Sequence, residues 1–164
     1  MRAIPEGAPD NLGAAFAHIN AVTAPTITDF KVMVLVEAAG QTLYDVSAEG
    51  TDHAGVKALL KDNGVEEMKH ARRVSEVIRL LSGEDFPPPA REDNPYLTGH
   101  IPVATLTPEG LRKTAESEFN GDQLYATWAA TIDHPEAAAL LRQNGVEESD
   151  HGNRLLQAAA LLEG

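Results

Sequence analysis

Two acidic, histidine-bearing segments carry the chemistry of this chain: "NGVEEMKHARR" from Asn63 to Arg73 and "NGVEESDHGNR" from Asn144 to Arg154, 81 residues apart. In each, a glutamate precedes a histidine by three positions, Glu67 with His70 and Glu148 with His151. On an α-helix that spacing sets the side chains ~60° apart and one turn along, so a carboxylate and an imidazole can reach one ion. A lone pair of this kind is as well explained by an exposed helix surface. Two pairs in register, with further carboxylates at matching positions, point to metal chemistry.

The further carboxylates come from the wider repeat. A shift of 81 pairs Glu37 with Glu118, Gly40 with Gly121, Leu43-Tyr44 with Leu124-Tyr125 and Asp52-His53 with Asp133-His134, without a gap. Glu37 lies 15 residues before Asp52 and Glu67 lies 15 after it, and Glu118 and Glu148 flank Asp133 in the same way. Folded at those aspartates, each half is a helical hairpin whose two glutamates stand level, ~22 Å from the turn. If the second hairpin packs upside down on the first, four glutamates and two histidines meet at mid-height. Buried carboxylates without partners are strongly unfavourable, so cations must neutralise them. Two Glu-x-x-His motifs plus one Glu from each of two other helices form the donor set of a di-iron or di-manganese carboxylate site. The competing reading is a bundle with a polar, hydrated seam.

The elements that would position these residues are legible. Residues 1–27 read as an extension rich in Ala, Pro and Gly, with a short helix over "DNLGAAFAHINAV". Residues 28–164 read as an all-α, antiparallel four-helix bundle. Its first helix starts at Thr28, capped by Thr26 or Thr28, and its second is capped by Thr51 or Asp52 and stops at Gly83. "TPEG" from Thr107 starts the third, which runs to about Ile132, and "DHP" from Asp133 starts the fourth. Between the hairpins, Glu84 to Leu106 holds five prolines and is no regular helix. A connection of this length can travel ~45 Å from one end of the bundle to the other, as inverted hairpins require.

On these residues the chain resembles the ferritin-like superfamily, and "VEEMKHARR" is similar to the second-helix signature of its rubrerythrin and bacterioferritin branch. The resemblance implies Glu37 and Glu118 as terminal ligands, Glu67 and Glu148 as bridging ligands, and His70 and His151 as one nitrogen ligand for each of two iron ions, with manganese or a mixed pair as variants. It also implies that Tyr44 and Tyr125, seven residues after a ligand glutamate, hydrogen-bond behind the ligands and take part in redox steps. Glu66 and Glu147 stand where relatives orient a ligand histidine, although solvated surface charges are an equal reading. Met68 falls at the haem-ligating methionine of bacterioferritins, where plain packing is the simpler reading and no haem is expected.

The departures from the family shape the expected function. Rubrerythrins carry an extra glutamate where Gly121 stands here, and usually a cysteine-rich module, whereas this chain has no cysteine. Electrons must then come from an external donor. The sequence stops at Gly164 without the fifth helix of cage ferritins, which argues against storage in a 24-subunit shell. The expectation is a cytoplasmic di-iron redox protein, a homodimer, reacting with O2 or H2O2 as a peroxidase, oxidase or ferroxidase. Iron sequestration without turnover is one alternative. A hydroxylase similar to demethoxyubiquinone hydroxylases is another.

Composition is consistent with this. With 13 Lys plus Arg against 25 Asp plus Glu, the net charge of −12 opposes nucleic acid and anionic membranes as partners. Gly40, Gly64, Gly121 and Gly145 sit three residues from ligand glutamates, where they either let helices touch or open a cavity beside the metals. His53 and His134 read as helix caps, His18 and His100 show no partner, and Trp128 reads as core or dimer interface.

Overall fold

A computed structural model describes residues 1–164. It is all-helical: α1 (Leu12–Ala21), α2 (Ile27–Ala48), α3 (Ala54–Ser82), α4 (Pro108–Ala130) and α5 (Pro135–Glu163), with one 3-10 turn at Arg91–Asp93 and no strand. No helix is long and apolar enough to cross a membrane.

Local chemistry sets the helix ends. Thr26 caps α2 in a reciprocal capping box with Asp29. His53 and His134 cap α3 and α5, each accepting at Nδ1 from the N–H three residues on, at 3.3 Å. The cap of α3 is therefore not Thr51 or Asp52; Thr51 instead accepts from the His53 N–H at 3.1 Å. Pro108 and Pro135 occupy the first turns of α4 and α5, where the missing N–H costs nothing. Gly83 ends α3 at φ 75°, a left-handed conformation open to glycine. Helix α4 ends at Ala130, two residues before the expected Ile132.

Packing then gathers the helices. Helix α2 lies along α3, α4 lies along α5, and α3 joins the pairs through α5. Helices α2 and α4 make no extensive contact with each other. The apolar interior falls into two parts. One joins Ile19, Phe30, Val77, Trp128 and Leu141. The other joins Tyr44 and Ala48 at the end of α2, Leu60 near the start of α3, Leu111 at the start of α4 and Leu155 late in α5.

The extension and the connection are both docked. Helix α1 packs on α2, and His18 Nε2 lies 2.6 Å from Asp29 Oδ1, so His18 has the partner its sequence context did not show. Burial works against the Asp29 charge, yet hydrogen bonds from Thr26 and His18 hold its carboxyl below the usual range. Trp128 is fully buried, edge-on to Phe30, and donates from Nε1 to the Val22 carbonyl at 2.8 Å; it is core. The connection runs along α2, with Glu84 on Lys31, the buried Asn94 donating to the Leu35 carbonyl at 2.8 Å, and the Leu106 N–H on the Gly50 carbonyl at 3.1 Å.

Candidate metal centre

The two interior clusters leave a polar layer between them, and the expected residues occupy it. Glu67 and His70 project from α3, Glu148 and His151 from α5, and all four are buried with donor atoms within 4.8 Å of one another. These four could hold a metal ion. Glu37 of α2 and Glu118 of α4 flank the group. Glu37 Oε2 lies 3.7 Å from His70 Nδ1 and Glu118 Oε2 lies 3.8 Å from His151 Nδ1. All six residues singled out by spacing are thus brought together.

The pairing crosses between the repeats. His70 Nδ1 lies 3.0 Å from Glu148 Oε1, and His151 Nδ1 lies 3.3 Å from Glu67 Oε1. The two imidazoles stack with centroids 5.0 Å apart and planes 18° from parallel. Neither contact has hydrogen-bond geometry, so both Nδ1 atoms are buried without a partner. Each is surrounded by carboxylate oxygens.

The opposite ring nitrogens explain the orientation. His70 Nε2 meets Glu147 Oε2 at 3.1 Å, and Arg73 clamps that carboxylate with contacts of 2.6 and 3.0 Å. His151 Nε2 meets Glu66 Oε2 at 3.1 Å, and Arg154 clamps it at 2.8 and 3.3 Å. Burial opposes the charges of Glu66 and Glu147, but their arginines hold both carboxyls below the usual range. An ionised carboxylate accepts from Nε2–H and leaves Nδ1 as a free lone pair, the tautomer a metal ligand needs. Glu66 and Glu147 are therefore histidine-orienting groups, each serving the other repeat.

Four residues of this network carried no assigned role in the sequence reading: Arg73, Arg154, Asn63 and Asn144. Asn144 accepts from Arg73 at 3.0 Å and donates to the His70 carbonyl at 3.2 Å. Asn63 accepts from Arg154 at 3.0 Å and donates to the His151 carbonyl at 3.3 Å. The signal was available, because all four lie at matched positions within the eleven-residue repeat.

The tyrosines are crossed as well. Tyr44 donates to Glu118 Oε1 and Tyr125 donates to Glu37 Oε1, so neither serves the glutamate of its own helix. Burial, then the charges of these glutamates, push both phenols well above their ordinary value.

Burial would raise all four central glutamates, but their neighbours divide them. The nearness of His70, at 3.7 Å, with Glu67 and the Tyr125 hydroxyl brings Glu37 down to about 2, and Glu148, His151 and the Tyr44 hydroxyl lower Glu118. Burial, with repulsion from Glu37 and its neighbours, pushes Glu67 and Glu148 well above the carboxylate range. Each half thus pairs a carboxyl shifted down with one shifted up.

The four glycines separate into two roles. A Cβ on Gly64 would lie 3.1 Å from Tyr44 Cβ, and one on Gly145 would lie 3.2 Å from Tyr125 Cβ, so these two let helices approach. Gly40 and Gly121 face carboxylates and line a cavity of about 440 Å3 between α2 and α4. A Cβ on Gly40 would stand 2.9 Å from Glu67 Oε2, whereas one on Gly121 would clear Glu148 at 3.4 Å. A side chain at Gly40 therefore disturbs Glu67 as well as the cavity. Gly40→Ala is expected to weaken metal binding about tenfold, the size of effect seen when a ligand's surroundings are disturbed. Gly121→Ala is expected to leave it within about twofold. Metal titration by calorimetry distinguishes them, and equal affinities would refute the steric argument.

His53 and His134 serve as caps, away from this layer, and Met68 is half-buried on α3. Compared with protein-family models, curated proteins and solved structures, the chain finds no significant match.

Proposed function

We propose that the chain is a ferritin-like dinuclear redox protein in which Glu37, Glu67, His70, Glu118, Glu148 and His151 hold two iron ions that react with O2 or H2O2. One observation carries the reading: the Nδ1 atoms of His70 and His151 are buried without partners and face carboxylates. Leaving such groups unpaired costs about 1–3 kcal/mol each, and a cation relieves both nitrogens and carboxylates together. Four carboxylates balance two divalent ions, and oxygen donors with one imidazole per metal suit iron or manganese.

The helix arrangement that goes with this reading is an antiparallel four-helix bundle of two inverted hairpins. It accounts for the interior cluster in which the end of α2 and start of α3 meet the start of α4 and end of α5. It also accounts for a connection docked along α2 from Lys31 to Gly50. A homodimer remains the expected assembly.

Iron held at these ligands supplies the redox capacity with which O2 or H2O2 is reduced, and an external donor restores it. The protein's own groups prepare that chemistry. Glu37 and Glu118 are ionised, each with one oxygen held by a tyrosine hydroxyl and the other free toward a histidine. Glu67 and Glu148 hold their protons to higher pH than ordinary carboxyls, so a cation bound there would compete with protons and bind more tightly as pH rises. Arg73 and Arg154 fix the glutamates that hold each Nε2–H. Tyr44 and Tyr125 keep their protons beside the terminal carboxylates, ready to pass through them.

The test is to load the protein anaerobically with Fe(II), count metals, then mix with O2 and with H2O2 while following the optical spectrum. About two irons per chain and prompt oxidation are expected. Fewer than about two would sink the dinuclear reading. Faster oxidation by H2O2 marks a peroxidase and slow mineral growth marks storage. Binding without oxidation marks sequestration and refutes the redox reading.

A further inference from the structure

The cavity between α2 and α4 is far larger than the oxidants require. Its volume is about 440 Å3, inside the ~300–1,000 Å3 range of small-molecule sites. At ~30 Å3 per water, it could hold roughly fifteen waters, against one or two atoms of a diatomic oxidant. Its ends differ in chemistry. Phe16 and Ile19 of α1, Met33 and Val36 of α2 and Leu124 of α4 make one end apolar. Some eleven to fourteen residues further along α2, ~17–21 Å, the walls become hydroxyl-bearing at Ser47 and Thr114. Between them lie the glycines and carboxylates of the metal layer.

The asymmetry has a definite cause. The 81-residue shift sets Thr114 and Ser117 where the first half has Met33 and Val36, and α1, which has no counterpart in the second half, lays its apolar residues over the Met33 end only. His18 and Asp29 fix α1 there. The apolar surface facing the cavity is a small fraction of the ~800 Å2 per partner that a stable protein interface needs, which favours a small ligand over a second copy. With two divalent ions the four carboxylates are balanced, so the cavity offers no net charge for an ionic ligand.

We propose that this cavity binds an elongated, uncharged amphiphile, its apolar body beneath α1 and its hydroxyl or carbonyl end at Ser47 and Thr114. Bound so, its middle lies against Glu37 and Glu118. Its part as a reactant rests on the redox reading above; its binding does not. Helix α1 is then a specificity element that sets which end of the ligand enters first.

The probes are straight-chain 1-alkanols from butanol to decanol, titrated calorimetrically into the full chain, metal-free and loaded with redox-inert Zn(II). Saturable binding is expected in both forms, tightening about fourfold per added methylene across the series. Leu43 and Leu124 line it from α2 and α4 and are not among the six donor residues, so Leu43→Trp and Leu124→Trp fill the cavity while keeping every donor. Each is expected to weaken octanol binding at least tenfold with Zn(II) stoichiometry unchanged, and if one misfolds the other still reports. Absent or length-independent binding overturns the proposal, as does binding that neither tryptophan affects. Affinity that falls as protein concentration rises would mean that a second copy fills the cavity, and it overturns the proposal too. Tighter binding of octylamine than octanol to the Zn(II) form would refute an uncharged ligand. Octanol binding in a chain whose Fe(II) does not react with oxidant would sink the redox reading and leave this one standing.

Discussion

Replacing His70 and His151 together by alanine is expected to abolish paired metal binding and the thermal stabilisation that goes with it. For the wild type, metal in hundredfold excess over Kd contributes about 2.7 kcal/mol per site, or about 5 kcal/mol for two independent sites. In a chain of 164 residues that raises Tm by roughly 10–20 °C. Each imidazole supplies the single nitrogen offered to its metal, and no other side chain nearby can replace it. Both rings are fully buried and stacked, so the metal-free variant also loses packing. The informative quantity is therefore the metal-dependent shift in Tm, measured by scanning calorimetry with Mn(II), alongside metals per chain. A shift of the wild-type size in the double variant would refute the assignment of both histidines.

Glu67→Gln with Glu148→Gln is expected to act in opposite directions on the two forms of the protein. Metal affinity is expected to be lost, because a neutral amide is a poor replacement for a carboxylate donor to a cation. The metal-free chain gains stability above pH 4.5, because glutamine keeps the shape and a donor toward Glu37 and Glu118 without holding a proton that the unfolded chain releases. The sign follows from linkage. The folded-state pKa of Glu67 and Glu148 is raised above the ordinary 4.5. The unfolded chain then releases these protons first, so stability falls as pH rises above 4.5 toward the folded values. Glu37 and Glu118, whose pKa values are lowered, contribute stability that is complete above 4.5 and lost only in acid. As pH rises above 4.5 the metal-free wild type should therefore lose Tm and the variant should be flatter. Removing this proton-linked cost contributes ~2 kcal/mol at neutral pH, about 4–8 °C here. Parallel pH profiles for the two proteins would refute protonated bridging residues.

Much of the molecule was legible in its letters because the relevant physics is local. Helix ends follow from residues within one turn of the break: Thr26 with Asp29, Pro108 after Thr107, Pro135 after His134, Gly83. The cap of α3 was misplaced by one or two positions because Thr51, Asp52 and His53 can all accept from the first turn, and the backbone path decides among them. The six donor residues were legible because helical rise and spacing fix their heights, whatever packs around them.

What the sequence could not decide was which copy serves which. The 81-residue shift makes Glu66 and Glu147, or Tyr44 and Tyr125, equivalent, and a hydrogen bond to the same or the opposite repeat satisfies it equally. The rotation of each helix about its axis breaks the tie. It carries Glu147 onto His70 and Tyr125 onto Glu37, and turns each Nδ1 toward the carboxylates. The same rotations divide the glycines, pressing Gly64 and Gly145 onto neighbouring helices while Gly40 and Gly121 face the cavity. Docking of α1 and of the Asn94 segment also belongs to the tertiary structure, since both depend on carbonyls and side chains distant in the chain. Periodicity and capping act over a few residues and are written in them. The partner across a helix interface depends on rotations set by the whole interior, which no short segment contains.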